Sequence, residues 1–166
     1  MWNPRHFRRW CLGYQWWKFI HMIGVVGFMA AHGTSMAATT LLRRIRDPQR
    51  ISGILQLSGG TVAAFYVSTL ILLIGGVGAG IAGRWFGQGW IWVSLGLLIA
   101  IGVMMFPLAR GYFRRIRLII DLMESGTAVS AQDFARVLDS GNPLLVAGTG
   151  AVAIVFIVYL MILKPF

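Results

Sequence analysis

The stretch TVAAFYVSTLILLIGGVGAGIAG, residues 61–83, contains no charged side chain. A helix needs about 20 mostly apolar residues to cross the hydrocarbon core of a bilayer. The stretch does not alternate with a period of two, and an open sheet would leave backbone polar groups unpaired in lipid. It therefore predicts a membrane-spanning α-helix.

The composition of the whole chain agrees with a membrane protein. The chain has 166 residues, of which 57% are hydrophobic and 12% are charged, whereas an average soluble domain has about 25% charged residues. The net charge is +10, and the arginines flank apolar runs, so we expect lipid headgroups rather than nucleic acid as partners. Cys11 is the single cysteine, which excludes an intramolecular disulfide and a cysteine-based metal cluster.

Three further apolar stretches resemble the first in length. Together they predict an all-α integral membrane four-helix bundle that forms one domain, residues 1–166. The residues before the first span are basic and rich in tryptophan, so we expect an interfacial amino-terminal arm over 1–18. The basic residues before the first span also resemble the start of a signal peptide, but the apolar run that follows is long enough to cross the membrane, so we expect it to be kept as a transmembrane helix. The predicted spans cover about 19–42, 61–83, 90–109 and 144–163.

The connections between these spans predict short interfacial or cytoplasmic helices in loops 1–2 and 3–4. Asp47 before Pro48 is typical of a helix start and predicts a short helix over PQRISGILQ. The third span is expected to continue through RGYFRRIRLIIDLME, and SAQD at 130–133 predicts a capped helix that ends near residue 141. Asn142 and Pro143 should cap the last span, and RWFGQG should form a tight turn between spans two and three.

The basic residues favour one orientation, because lysine and arginine concentrate on the cytoplasmic side. We therefore predict a multi-pass protein of the cell inner membrane with both termini outside the cytoplasm. One side of the four spans holds Arg43, Arg44, Arg46, Arg50, Arg110, Arg114, Arg115, Arg117 and Arg136, and the other holds Arg5, Arg8, Arg9, Lys18, Arg84 and Lys164.

The middle of every predicted span lacks Asp, Glu, Lys and Arg. Proton pumps and ion-coupled transporters usually need such groups at depth, so the pattern argues against these classes. The chain has no phosphate-binding glycine loop, no paired carboxylates and no HExxH motif, and no catalytic residue is predicted. Small residues such as those in GGVGAGIAG, 75–83, indicate close helix packing or room for a flat cofactor.

Two histidines interrupt the first span. His21 and His32 are 11 residues apart, so they differ by only about 20° around a helix and lie roughly 16 Å apart along it. His21 is expected near the outer interface and His32 near mid-membrane. Each is either a ligand for haem or metal or a hydrogen-bonded packing residue.

A second ligand would come from another span. Depth along the predicted helices places Met104, Met105 and Tyr66 near His32, and Tyr159 near His21. Histidine with methionine suits haem b, and soft ligands suit copper(I).

Several short motifs resemble one group of membrane proteins. They are KFIHMIGVVG, RRIRDP, GQGWIW and FPLARGYFRRIR, in this order along most of the chain. The chain resembles the four-helix membrane proteins related to CopD, of copper resistance, and HemJ, of protoporphyrinogen oxidation. It is most similar to a sister family of predicted integral membrane proteins with no assigned function.

The resemblance implies that His21 corresponds to the histidine proposed to ligate haem b in HemJ-type enzymes, which ranks it above His32. The aromatic, small-residue and Pro-Arg signature of those enzymes is replaced here by GFMAAHGTSMAATTLLRR. Protoporphyrinogen oxidation is therefore not carried over to this chain.

Three hypotheses follow. The first is electron transfer or cofactor handling, with His21 as primary ligand, His32 as second ligand or second site, and Lys18 as a propionate or headgroup partner. The second is a non-catalytic subunit of a membrane complex or a homo-oligomer, which predicts glycine faces turned outward. The third is a small copper carrier with a path along Met22, Met29 and Met36.

Overall fold

The structure is a computed structural model. It describes the backbone of residues 4–140 and 143–165, and most of the side chains from residue 13 onward. The described part of the chain is all-α, as predicted, with five α-helices and one 3₁₀ turn. These are α1 (Pro4–Arg44), α2 (Pro48–Gly83), the 3₁₀ turn (Trp85–Gly87), α3 (Gly89–Glu124), α4 (Ala131–Leu138) and α5 (Pro143–Leu163).

Three of these helices, α1, α2 and α3, are long and apolar enough to cross a membrane. The fourth predicted span lies in α5, which has 21 residues and contains the shorter apolar segment Gly148–Leu163. The interfacial arm is helical from Pro4 onward and continues into the first span without a break.

The separate short helix predicted in loop 1–2 is wrong, because α2 continues from Pro48 through the whole second span. The predicted start is confirmed, since the Asp47 side chain accepts a hydrogen bond from the Gln49 amide at 3.0 Å. The expected break contains two glycines, Gly59 and Gly60, which weaken a helix. Each glycine costs a helix about 1 kcal/mol, which neighbouring buried side chains such as Leu55 offset.

The turn between α2 and α3 forms where it was predicted. Arg84 ends α2 in the left-handed conformation, with φ 55°, and its amide bonds to the carbonyls of Gly80 and Ile81. Trp92 then donates from Nε1 to the carbonyl of Phe86 at 3.0 Å, which joins α3 to the turn.

The predictions for the third connection are confirmed where the structure describes them. Helix α3 continues to Glu124, and α4 is capped by Ser130, whose Oγ accepts from the Asp133 amide at 3.0 Å. Helix α5 begins with Pro143. The predicted cap at Asn142 lies outside the described residues.

The helices associate as two antiparallel pairs, α1 with α2 and α3 with α5. In the first pair, Trp17 lies beside Gly78 and Gly27 lies beside Ser68. Fewer contacts join the pairs to each other, mainly between α1 and α5 and between α2 and α3.

The largest buried cluster lies at the arginine-rich end, almost entirely outside the predicted spans. Burial stabilises apolar side chains in water, whereas lipid is itself apolar, so a packed core is needed mainly where the helices leave the membrane. The Tyr112 hydroxyl donates to the Leu138 carbonyl at 3.0 Å within this cluster. We call it the cap core; its members are Leu42, Ile51, Leu55, Tyr112, Ile116, Ile119, Ile120, Phe134 and Leu138.

Candidate functional site

His21 is bound to the neighbouring helix. Its Nδ1 lies 2.9 Å from the carbonyl oxygen of Leu72 in α2. A carbonyl only accepts hydrogen bonds, so Nδ1 is the donor in this contact. This bond to a backbone carbonyl is the one that commonly orients metal-binding histidines, and it equally satisfies a packing histidine.

Glycines bring the two helices together around His21. A side chain at Gly75 would collide with the backbone of His21, and one at Gly24 would collide with the backbone of Leu72. Gly76 leaves space for the imidazole, whose Nδ1 would lie 3.0 Å from a Cβ at that position. The predicted close packing of these small residues is therefore present between α1 and α2.

His32 lies at a junction of α1, α3 and α5. Its Cε1 and the Sδ of Met105 lie 3.0 and 2.7 Å from the position that a Cβ on Gly150 would occupy, so the two atoms are at most about 6 Å apart. The Nε2 of His32 is buried and has no hydrogen-bond partner. An unpartnered buried ring nitrogen beside a thioether is an unusual arrangement, because buried polar groups are nearly always hydrogen-bonded.

The two imidazoles do not share neighbours, although they lie on one stripe of α1. His21 contacts α2 at Leu72 and Gly76, whereas His32 contacts α5 at Gly150. The expected open space beside glycine is filled at both places by the imidazoles themselves. The reason is that α1 packs against α2 near His21 and against α5 near His32. The periodicity of a single helix does not show which helix lies beside each part of it.

The other predicted site residues lie at the surface. Met104, Tyr66 and Tyr159 are 53%, 49% and 48% exposed, so they do not line the buried junction around His32. Lys18 is also exposed, with its Nζ 5.8 Å from the centre of the Tyr14 ring. Of the four candidate second ligands that were predicted from their depth along the spans, Met105 is the one that the structure places beside a histidine.

Two of the three methionines of the copper-carrier hypothesis lie at the surface of the described structure. Met22 and Met29 are 52% and 45% exposed on α1, and Met36 is partly buried. Two members of the predicted path therefore face away from the helix bundle.

The donor types at the junction suit a soft metal ion or a haem iron, but His32 and Met105 occupy the space beside Gly150, so a haem would require these side chains to move. An imidazole nitrogen and a thioether sulfur suit copper(I), and they also form a known axial pair for haem b. Within the described residues, no group of three or more His, Cys, Asp or Glu side chains is arranged to hold a metal. A site here would therefore depend on the histidine–methionine pair.

Two residues that shape these sites were not predicted from the sequence, Gly150 and Leu72. Gly150 lies within the GTGAVA run, and nothing in that run distinguishes it from Gly148, beside which a side chain would meet open space. The Leu72 carbonyl carries no sequence signal, because every residue has one.

The comparison with known proteins identifies a family. Residues 15–165 match the sequence profile of a family described as predicted integral membrane protein (DUF2269). No curated protein and no solved structure matches the chain. The match agrees with the expected sister family of membrane proteins and does not extend to CopD or HemJ. Because the match covers nearly the whole chain, the protein belongs to the DUF2269 family of predicted integral membrane proteins.

Proposed function

We propose that this protein is a four-span inner-membrane protein that holds a haem b or metal centre and serves electron transfer or cofactor handling. The observation that carries the proposal is the buried Nε2 of His32, which has no partner and lies beside Met105. An ionisable side chain inside a membrane is a candidate functional group, because its burial is costly unless it has a use.

We rank His32 above His21 as the primary ligand, which reverses the order that the resemblance implies. His21 has a hydrogen-bond partner for one nitrogen, so it has a sufficient structural role. His32 lacks any partner for Nε2, so it is the better candidate for primary ligand. In this proposal Met105 is the second ligand, and His21 serves a second site through its other ring nitrogen, Nε2.

The bound group would supply the redox chemistry, and the protein would supply the ligands and the apolar surroundings. His32 would bind the metal through Nε2, and the Met105 thioether would favour the reduced, softer state of copper or raise the potential of a haem iron. Gly150 would keep the space between these ligands free of a side chain.

The proposed topology places the cap core in the cytoplasm and both termini outside. Nine of the fifteen lysines and arginines lie on the side of the cap core, as expected for the cytoplasmic side. Trp85, Trp90 and Trp92 lie at the opposite end, where tryptophans commonly mark the membrane interface.

The direct test is an absorption spectrum of the detergent-purified protein, oxidised and then dithionite-reduced, together with metal analysis. We expect either a Soret band or stoichiometric copper. His32→Ala should remove this signal, and Met105→Leu should shift or weaken it. Met104→Leu is the matched control, because Met104 is the exposed neighbour in sequence.

The outcomes separate the hypotheses. Loss of the signal in His21→Ala but not in His32→Ala would return His21 to the position of primary ligand. Absence of chromophore and metal after expression with haem and copper would contradict the proposal. It would favour the non-catalytic subunit or homo-oligomer, and a search for a membrane partner would follow.

A further inference from the structure

A second group of unpartnered polar atoms lies at the start of α3, next to the turn that contains Trp85. Trp90 and Ser94 are 7% and 5% exposed, and neither Trp90 Nε1 nor Ser94 Oγ has a hydrogen-bond partner. The two residues are four positions apart in α3, so they lie on one face of the helix. Two adjacent buried donors without acceptors indicate that an acceptor belongs there.

A cation lies beside this face. Lys164 directly follows α5, and its Nζ lies 3.7 Å above the centre of the Trp85 ring and 5.9 Å from that of Trp90. The two indole rings meet edge to face at 6.1 Å. The Lys164 side chain is exposed, and a cation–π contact at an exposed site is worth only about 0.5–1 kcal/mol. Its ammonium can therefore exchange the ring for an anion at low cost.

With α3 crossing the membrane as proposed, these groups follow the order of the parts of a phospholipid from its headgroup inward. The ammonium lies at the end of α5, Trp90 is the second residue of α3, and Ser94 lies about 6 Å deeper along the helix. The interfacial layer on each side of the hydrocarbon core is about 5–7 Å thick. A cation at the outer side of this layer matches the phosphate of a phospholipid. Two hydrogen-bond donors deeper in the layer match the ester carbonyls that follow the phosphate.

We propose that Trp90, Ser94 and Lys164 bind one phospholipid, with the phosphate at Lys164 and an ester carbonyl at the two buried donors. In the structure both donors are covered, so the proposal includes an opening of this face of α3. It also includes a movement of the Lys164 ammonium from the Trp85 ring to the phosphate. The cation favours a phospholipid over a neutral quinone, which carries carbonyl oxygens but no phosphate. This site is separate from the His32 junction and does not depend on the proposed cofactor.

The test is native mass spectrometry of the full-length protein, delipidated in detergent and titrated with short-chain phosphatidylglycerol. We expect one lipid to be retained per chain. Trp90→Phe, Ser94→Ala and Lys164→Gln should each weaken its binding about three- to tenfold, as expected for the loss of one hydrogen bond or one ionic contact. Trp92→Phe is the matched control, because the Trp92 N–H is already bonded to Phe86.

Three results would overturn the proposal. The first is equal lipid binding by all variants and the wild type. The second is retention of decyl-ubiquinone in place of the phospholipid, lost in Trp90→Phe and Ser94→Ala, which would assign the site to a quinone. The third is higher thermal stability of those two variants without any change in lipid binding, which would show that the unpartnered donors only cost stability.

Discussion

His21 of α1 and Leu72 of α2 are joined by a hydrogen bond of 2.9 Å between imidazole Nδ1 and a backbone carbonyl. The bond makes Nδ1 the donor and joins the amino-terminal half of α1 to its partner helix. It forms because Gly24 and Gly75 let the two backbones approach closely on either side of it. The first histidine of the span is thus part of the helix–helix contact, whatever else it binds.

Alanine at Gly24 or Gly75 should separate α1 from α2. The added Cβ would meet the backbone of Leu72 or of His21, which cannot move aside as a flexible side chain can. We expect each variant to lose about 1–3 kcal/mol of stability, measured by thermal unfolding in detergent. Gly33→Ala is the control on the same helix, because a Cβ there meets nothing within 4 Å. Equal melting temperatures for Gly24→Ala and Gly33→Ala would contradict the packing described.

Alanine at Gly150 should disturb the His32 junction without unfolding the protein. Its Cβ would lie 2.7 Å from the Met105 Sδ, so the flexible methionine would turn away from His32. We expect the absorption or metal signal of the purified protein to fall at least about tenfold. Gly148→Ala, two residues earlier in α5, should leave the signal unchanged because its surroundings are open. A normal signal in Gly150→Ala would separate Met105 from the site.

The attachment of α4 should depend on apolar burial rather than on its ion pair. Leu138 is completely buried, and Leu138→Ala should cost about 2–4 kcal/mol. The Arg46–Asp139 pair, at 3.0 Å, is about half exposed, so Arg46→Ala should cost less than about 1 kcal/mol, and less still in high salt. Hydrogen exchange of the α4 amides measures both losses. A larger effect from Arg46→Ala would show that charge dominates.

Glycine at Arg84 should stabilise the turn between α2 and α3. Arg84 has φ 55° and ψ 37°, a conformation that costs a residue with a Cβ about 1 kcal/mol and costs glycine nothing. We expect Arg84→Gly to raise the stability by roughly that amount in thermal unfolding. Arg84→Ala removes the charge and keeps the strain, so it should not stabilise. Stabilisation by both variants would attribute the effect to charge.

The proposed orientation can be tested with Cys11, the single cysteine of the chain. A membrane-impermeant maleimide should label Cys11 in spheroplasts, because the amino terminus is proposed to lie outside the cytoplasm. In the double variant Cys11→Ser, Ser125→Cys, the exposed position after α3 should be labelled only after the membrane is permeabilised. Labelling in the opposite pattern would reverse the topology.

The helices were predictable because their signals are local. Asp47 and Ser130 cap α2 and α4 as expected, and the turn at Arg84 lies where the glycine-rich sequence predicted it. The continuity of α2 was missed because the glycine pair at 59–60 weakens the helix locally, whereas the stabilising burial of Ile51 comes from other helices. A local pattern does not contain that contribution.

The candidate site was predictable only in part, for the same reason. The predicted depth of Met105 agrees with its position beside His32 and Gly150. The predicted common stripe of His21 and His32 did not indicate that they contact different helices. Depth does not distinguish Met105 from Met104, since neighbouring residues differ by about 100° around a helix. Met105 is partly buried against Gly150 of α5, whereas Met104 is exposed, and this difference depends on where α5 lies.

Helix α5 is made after α1, α2 and α3, so His32 and Met105 are synthesised before Gly150. Until α5 packs beside them, the side of His32 that later lies against Gly150 is uncovered. Under the proposed function, a cofactor bound during this interval would be enclosed by α5, whereas one that arrives later would have to displace that helix. The order of the helices along the chain therefore favours cofactor loading during folding over loading afterwards.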